Sequence, residues 1–220
     1  MQVVNLYLLE DAVRDINELH KNFANVFYDS FYSSKFNLKN VTINNVLFEQ
    51  KFNSSFLEYL DIYHRELNNY IWIKSDFSEK FLFWDARIRV KQKDSIYNEL
   101  IFYGEKVERG RIPIQKCLND LLGFRLIIDD FDCTDKSYKN LLASLKTDLN
   151  LMKCYDRNVD GYKGSHIYFK NKNNFYYPWE LQLWNSSDAK LNEKSHKGHK
   201  SKRDYLNWPK KYKEGRIQKG

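Results

Sequence analysis

The chain of 220 residues carries 36 Lys and Arg against 29 Asp and Glu, and 42% of it is hydrophobic and 16% aromatic. That balance excludes a disordered polyelectrolyte, which lacks the apolar side chains to fold, and the length is enough for one large core. No run of about eighteen apolar residues occurs, and the start MQVVNLYLLEDAVRDINEL has neither a basic segment nor a cleavage site, so neither a membrane span nor a secretory leader is expected.

In chain order, the apolar spacing Leu8, Val13, Ile16, Leu19 and Phe23 predicts a helix from residue 6 to about 30, and Phe52, Phe56, Leu60 and Tyr63 predict a second over about 46 to 70. WIKSDFSEK reads as a linker. ARIRVK (86 to 91) alternates as a strand that puts Arg87, Arg89 and Lys91 on one face. A helix with Ser95 as N-cap follows, then a second in IPIQKCLNDLL with Pro113 near its start. GFRLIIDDF predicts a strand, TDKSYKNLLASLKTDLN a helix and LMKCYDRNV a strand. SHIYFK and YYPWELQLWN predict two more strands joined at NKNN, and a last helix begins near Ser187. The sum is an α/β protein, a mixed sheet flanked by helices with helical N- and C-terminal elements. One domain over 1–220 is expected, with a helical layer in 1–75, a catalytic core in 85–185 and a basic helix and tail in 186–220.

The three cysteines, Cys117, Cys133 and Cys154, contain no CxxC pair and argue for neither a disulfide framework nor a zinc knuckle; a reducing cytoplasm suits them. Charge is placed unevenly. From Asp188 to Gly220 eleven cations face four acids, so this segment carries the whole excess of +7 and residues 1–187 balance. Lys197, Lys200, Lys202, Arg203, Lys210 and Lys211 are interleaved there with Tyr205, Trp208 and Tyr212, a composition suited to RNA. A solvated helix is the competing reading.

Alternation also sorts the candidate chemistry. In WELQLW, Glu180, Gln182 and Trp184 take one face and Trp179, Leu181 and Leu183 the other; in SHIYFK, His166 and Tyr168 oppose Ile167. Ser165 and His166 point oppositely, which argues against a serine hydrolase. GYKGSH (161 to 166) reads as a glycine loop whose Tyr162, Lys163 and His166 would meet a nucleotide. Arg87, Arg89 and Lys91, with the helix end at Ser95, suit a triphosphate. Asp120 and Glu180 offer two carboxylates for Mg²⁺. Together these features describe metal-assisted phosphoryl transfer.

In order, RVKQKDSIYNEL, NDLLGFRLIID, GYKGSHIYF and ELQLW resemble the successive motifs of the RelA/SpoT-type pyrophosphokinases. The resemblance implies a nucleotidyltransferase-like sheet and transfer of the β,γ-pyrophosphate of ATP to a ribose 3′-hydroxyl, with AMP leaving. It implies that Arg89 and Lys91 hold ATP phosphates and that Asp120 ligates Mg²⁺. Glu180 would ligate Mg²⁺ or activate the hydroxyl, Tyr162 stack on the acceptor base, and His166 contact acceptor phosphate or ribose. Arg125 and Gln182 fall on motif positions. Glu99 stands where a basic residue is usual, with Lys93 or Arg87 as its expected substitute. ELQLWN lacks the arginine after the glutamine that alarmone makers carry, and the combination of YKGSH with WELQLW, together with the tail LNEKSHKGHKSKRDYLNW, is more similar to the toxic small alarmone synthetases. That likeness implies the 3′-CCA end of tRNA as acceptor, inhibited translation and a neutralising protein antitoxin. Synthesis of (p)ppGpp or ppApp is the alternative, and an inactive relative that only binds RNA or protein is the third.

Overall fold

A computed structural model describes residues 5–31, 36–49, 51–106 and 108–201, with only the backbone at 30, 31, 106, 108 and 196–201. The chain opens with α1 (Leu6–Phe31). A short α2 (Ile43–Val46) and a two-stranded ribbon of β1 (Leu47–Phe48) and β2 (Lys51–Phe52) lead into α3 (Ser54–Lys74). The expected second helix therefore starts later, because the Asn53 side chain accepts from the Phe56 N–H and fixes the N-terminus there. The linker after it is partly helical, in α4 (Phe77–Lys80) and a 3₁₀ turn at Leu82–Trp84.

Next come β3 (Arg87–Val90), α5 (Lys93–Lys106), α6 (Ile114–Cys117), β4 (Leu122–Ile128), α7 (Lys136–Asp148), β5 (Lys153–Val159), β6 (Tyr162–Phe169), β7 (Trp179–Asn185) and α8 (Ala189–Ser201). Five strands form one mixed sheet in the order β3-β4-β7-β6-β5; β4 and β7 run parallel, and the other neighbours are antiparallel. The expected mixed α/β architecture is thus present. Three local expectations change. α5 starts at Lys93, so Ser95 lies inside its first turn and does not cap it. α6 is only four residues long, leaving Asp120 in the connection to β4. GYKGSH is not a loop: only Gly161 lies in the turn, and residues 162–169 are strand.

The register explains which face is buried. Ile88, Phe124, Leu181 and Ile167 align across the sheet, and Leu126 aligns with Leu183. These side chains, 88 excepted, are essentially inaccessible and join the core. Helix α1 supplies Leu9, Val13, Ile16, Phe23 and Phe27 at helical spacing, and α3 supplies Phe56, Tyr59, Tyr63 and Leu67. Trp179 is the hinge of this packing: its indole N–H donates to Tyr63 Oη at 3.2 Å, and its ring meets Phe23 and Phe124. Each such large apolar side chain contributes about 1.5–3 kcal/mol on burial. Among the described residues no helix is long and apolar enough to cross a membrane.

Candidate active site

With helices packed against one face, the other face of the sheet is the floor of a 740 Å³ cleft. Two rows of side chains cross it. One runs Arg89, Gly123, Glu180, Tyr168; the next runs Arg87, Arg125, Gln182, His166, Tyr155. Asp120 lines the cleft from the loop before β4, and Ser95 lines it from the first turn of α5. Arg87, Arg89, Lys91, Ser95, Asp120, Arg125, His166, Glu180 and Gln182 therefore border a single space, although they come from segments about ninety residues apart.

Glu180 is buried, with 6% exposure, and hydrogen-bonded through both carboxylate oxygens. Its Oε1 accepts from Tyr168 at 2.5 Å and from His166 Nδ1 at 2.8 Å, and its Oε2 accepts from Gln182 Nε2 at 2.8 Å. Burial alone would raise this carboxyl's pKa; the bonds from His166, Tyr168 and Gln182 outweigh it and hold the group below the usual carboxylate range. Glu180 is a fixed anion and a weak base. One lone pair of Oε2 remains for a ligand.

Gln182 is pinned at both ends, because its Oε1 accepts from Arg125 Nη2 at 2.9 Å. Arg125 in turn lies flat over Trp184, its guanidinium carbon 3.6 Å from the ring centroid. Trp184 closes this end of the floor with Ile127 and Tyr162.

Tyr162 and Lys163 do not line the cleft. Tyr162 is only 3% exposed, so its ring is covered and offers no platform to an acceptor base. Its hydroxyl instead continues a relay: the Trp184 indole donates to Tyr162 Oη at 2.9 Å, Tyr162 pairs with His166 Nε2 at 2.8 Å, and His166 pairs with Glu180. The arrangement that satisfies every member has Tyr162 donating to Nε2 and His166 donating from Nδ1. Burial pushes the Tyr162 hydroxyl up to about 12, so it stays protonated. Lys163 is out of phase with His166, points from the opposite face and sits 3.9 Å from Asp188. Gly164 serves packing: a Cβ there would lie 2.9 Å from Trp184 Cδ1 and 3.1 Å from Tyr162 Oη. Ser165 faces the core, where Tyr138 donates to it and it donates to Asp156.

The expected phosphate ligands differ in availability. Lys91 is buried between Glu99 and Asp120 Oδ1, the latter at 2.7 Å. Burial alone would depress its pKa, but the two acids more than reverse this and it is a permanent cation. Glu99 is therefore a counter-ion to Lys91. Lys93 pairs with Asp61 at 2.9 Å, and Arg87 pairs with Asp85 at 2.6 Å and Glu193 at 2.8 Å. Among the described residues the Arg89 and Arg157 guanidiniums have no ion pair, which leaves them the readiest anion ligands of the cleft.

Arg157 and Tyr155 line the cleft from β5 and were missed in the sequence. Their signal is the alternation Lys153, Tyr155, Arg157. Tyr155 lies nearly parallel to His166, centroids 5.2 Å apart. Lys202, Arg203, Lys210 and Lys211 lie outside the described residues, and for Lys197 and Lys200 only the helical backbone is described.

Among the described residues no three His, Cys, Asp or Glu side chains form a metal cluster. Mg²⁺ needs fewer protein ligands, since it binds through one or two carboxylates with phosphate and water completing its shell. Asp120, half open to the cleft, and Glu180 Oε2 are hard oxygen donors on one space and fit that mode.

No family model matches this chain, and no curated protein matches it. Among solved structures, the crystal structure of small alarmone synthetase 1 from Bacillus subtilis is similar to it, with 14% identity over 76% of this chain and 100% of that one, at a TM-score of 0.34.

Proposed function

We propose that the chain is a magnesium-dependent pyrophosphokinase that transfers the β,γ-pyrophosphate of ATP to the 3′-hydroxyl of the tRNA CCA end, which blocks aminoacylation and inhibits translation. The observation that carries this reading is the convergence of Arg89, Asp120, His166 and Glu180, from four distant segments, on one cleft. They follow the chain order in which the pyrophosphokinase motifs occur. In the reaction the ribose 3′-oxygen bonds to the β-phosphorus of ATP and the bond from that phosphorus to the α–β bridging oxygen breaks. AMP leaves with the bridging oxygen, and the hydroxyl proton passes to solvent.

Arg89, with Arg157 across the floor, offsets the charge of the polyphosphate. Magnesium held by Asp120 and Glu180 would supply further charge neutralisation at the transferring group. Glu180, kept anionic by three hydrogen bonds, orients rather than deprotonates. His166 is fixed between Tyr162 and Glu180 and holds the carboxylate in place.

The charge split supports tRNA over a free nucleotide as acceptor. A nucleotide needs only a local pocket, whereas the excess of +7 in residues 188–220 suits a long phosphate track. The sequence resemblance supports a role as the toxin partner of a protein antitoxin in a bacterial cytoplasm. The three cysteines are unpaired, in keeping with a reducing compartment.

The test incubates the protein with γ-labelled ATP and offers deacylated tRNA beside GDP, GTP and adenine nucleotides, with AMP release measured in parallel. Label on tRNA, lost in Asp120→Asn, is the expected outcome. Label on a purine nucleotide instead would make the chain an alarmone synthetase, and label on neither would leave an RNA- or protein-binding relative.

A further inference from the structure

Two glycines stand on the cleft face of the sheet, and they differ in why they are glycine. At Gly164 a Cβ would collide with Trp184, so packing demands the missing side chain. At Gly123 a Cβ would meet, within 4 Å, only the Arg89 carbonyl oxygen, at 3.9 Å. Gly123 is also absent from the residues with positive φ, so its backbone conformation is open to any amino acid. It sits inside a strand of Leu, Phe, Leu and Ile, where glycine is unfavourable for lack of a side chain and for its chain entropy. Neither the fold nor the backbone accounts for it.

The register gives its surroundings. Gly123 is the direct lateral neighbour of Arg89 on one side and of Glu180 on the other. Its bare backbone leaves a slot between a guanidinium without an ion pair and a buried carboxylate, with Asp120 three residues upstream on the same cleft. One wall attracts anionic oxygens and the other attracts cations. The ligand chemistry that satisfies both walls is a polyphosphate bound as its divalent-metal complex.

We infer that Gly123 is a clearance residue: the polyphosphate of the donor nucleotide lies directly over it, and the absent side chain sets what can enter between Arg89 and Glu180. This rests on the pyrophosphokinase reading and adds to it a specificity-determining position. A side chain at 123 fills space that belongs to the ligand, not to the protein.

The test compares the full-length wild type with Gly123→Ala and Gly123→Val, measuring the melting temperature and the equilibrium binding of a non-hydrolysable ATP analogue with Mg²⁺. A melting temperature equal to or above wild type is expected for Ala, because a Cβ is sterically accommodated and a strand glycine is removed, and Val should still fold cooperatively. Val should weaken nucleotide binding by about tenfold or more, and Ala by a smaller factor. Binding of deacylated tRNA without nucleotide should stay within about twofold for both. A Val variant that binds the analogue like wild type overturns the inference and leaves the pyrophosphokinase reading standing. A Val variant that unfolds also overturns it, since the glycine would then be a requirement of the fold. A wild type that binds no ATP overturns both.

Discussion

Lys91 Nζ lies 2.7 Å from Asp120 Oδ1 and at the same time bonds Glu99, so one buried ammonium holds a candidate metal-binding acid in place with the help of a second acid. The side chains of Lys91 and Glu99 are only 9% and 12% exposed. Glu99→Lys would press two ammonium groups together in this setting. Losing a buried pair in this way costs about 3–5 kcal/mol. The expected result is a lowered melting temperature and lowered transfer; a Glu99→Lys protein that is equally stable and binds ATP more tightly would mean that the position is a vacated phosphate site.

Tyr162→Phe separates two roles for the same residue. A ring used only to stack on a base would tolerate loss of its hydroxyl. In the relay, that loss strands the Trp184 indole N–H and the His166 Nε2 in a buried environment, at about 1–3 kcal/mol for each unsatisfied group. Thermal melts should place Tyr162→Phe below wild type, with transfer reduced through the displaced His166. A variant matching wild type in both would refute the relay.

Sequence reading located the face of the cleft better than its rim. In β7 and β6, strict alternation fixes that Glu180, Gln182 and His166 share one side, and the register then assembles them. The glycine-rich GYKGSH was misread because its flanking Asp-Gly pair is a hairpin signal: Asp160 and Gly161 both take positive φ, 54° and 78°, and turn β5 directly into β6. Gly164 is then a packing glycine, and its demand comes from Trp184 on a neighbouring strand, which no local pattern reveals. The pairing of Glu99 with Lys91 was hidden for the same reason. It joins a helix side chain to a strand end, and a motif comparison scores Glu99 only as a departure.

His20 gives the fold a built-in response to acid. It is wholly buried among Trp179 and Tyr176 and pairs through Nε2 with the Tyr177 carbonyl at 2.9 Å. Burial lowers its pKa to about 4, against the carbonyl's smaller opposing effect. The folded value lies below the unfolded value of 6.5, so the unfolded chain takes up the proton first. Stability is complete above that value and falls as pH drops toward 4, by about 2 kcal/mol at pH 5. His20→Gln, which keeps a donor for the carbonyl and does not titrate, should show a smaller drop in melting temperature between pH 7 and pH 5. Equal drops would exclude His20 as the source.

The basic segment makes a separable prediction. Removing residues 202–220 takes away seven cations and two acids. With fewer phosphate contacts, KM for tRNA should rise by about tenfold at physiological salt and its dependence on salt should flatten, while a short CCA-ended oligonucleotide is affected little. Equal losses on both acceptors would assign the segment to the fold rather than to RNA.

Asn192 ties the last helix to the sheet that floors the cleft. Its carboxamide receives the Lys163 N–H at 2.8 Å and donates to the Lys163 carbonyl at 2.7 Å, filling the backbone partnership that β7 no longer supplies at that point. A tug on α8 is therefore delivered, through this amide beside the Glu193–Arg87 pair, to the sheet that bears His166. Under the proposed function, a tRNA held by the basic segment that follows α8 and the reaction on the cleft floor would be mechanically in touch through this bond pair.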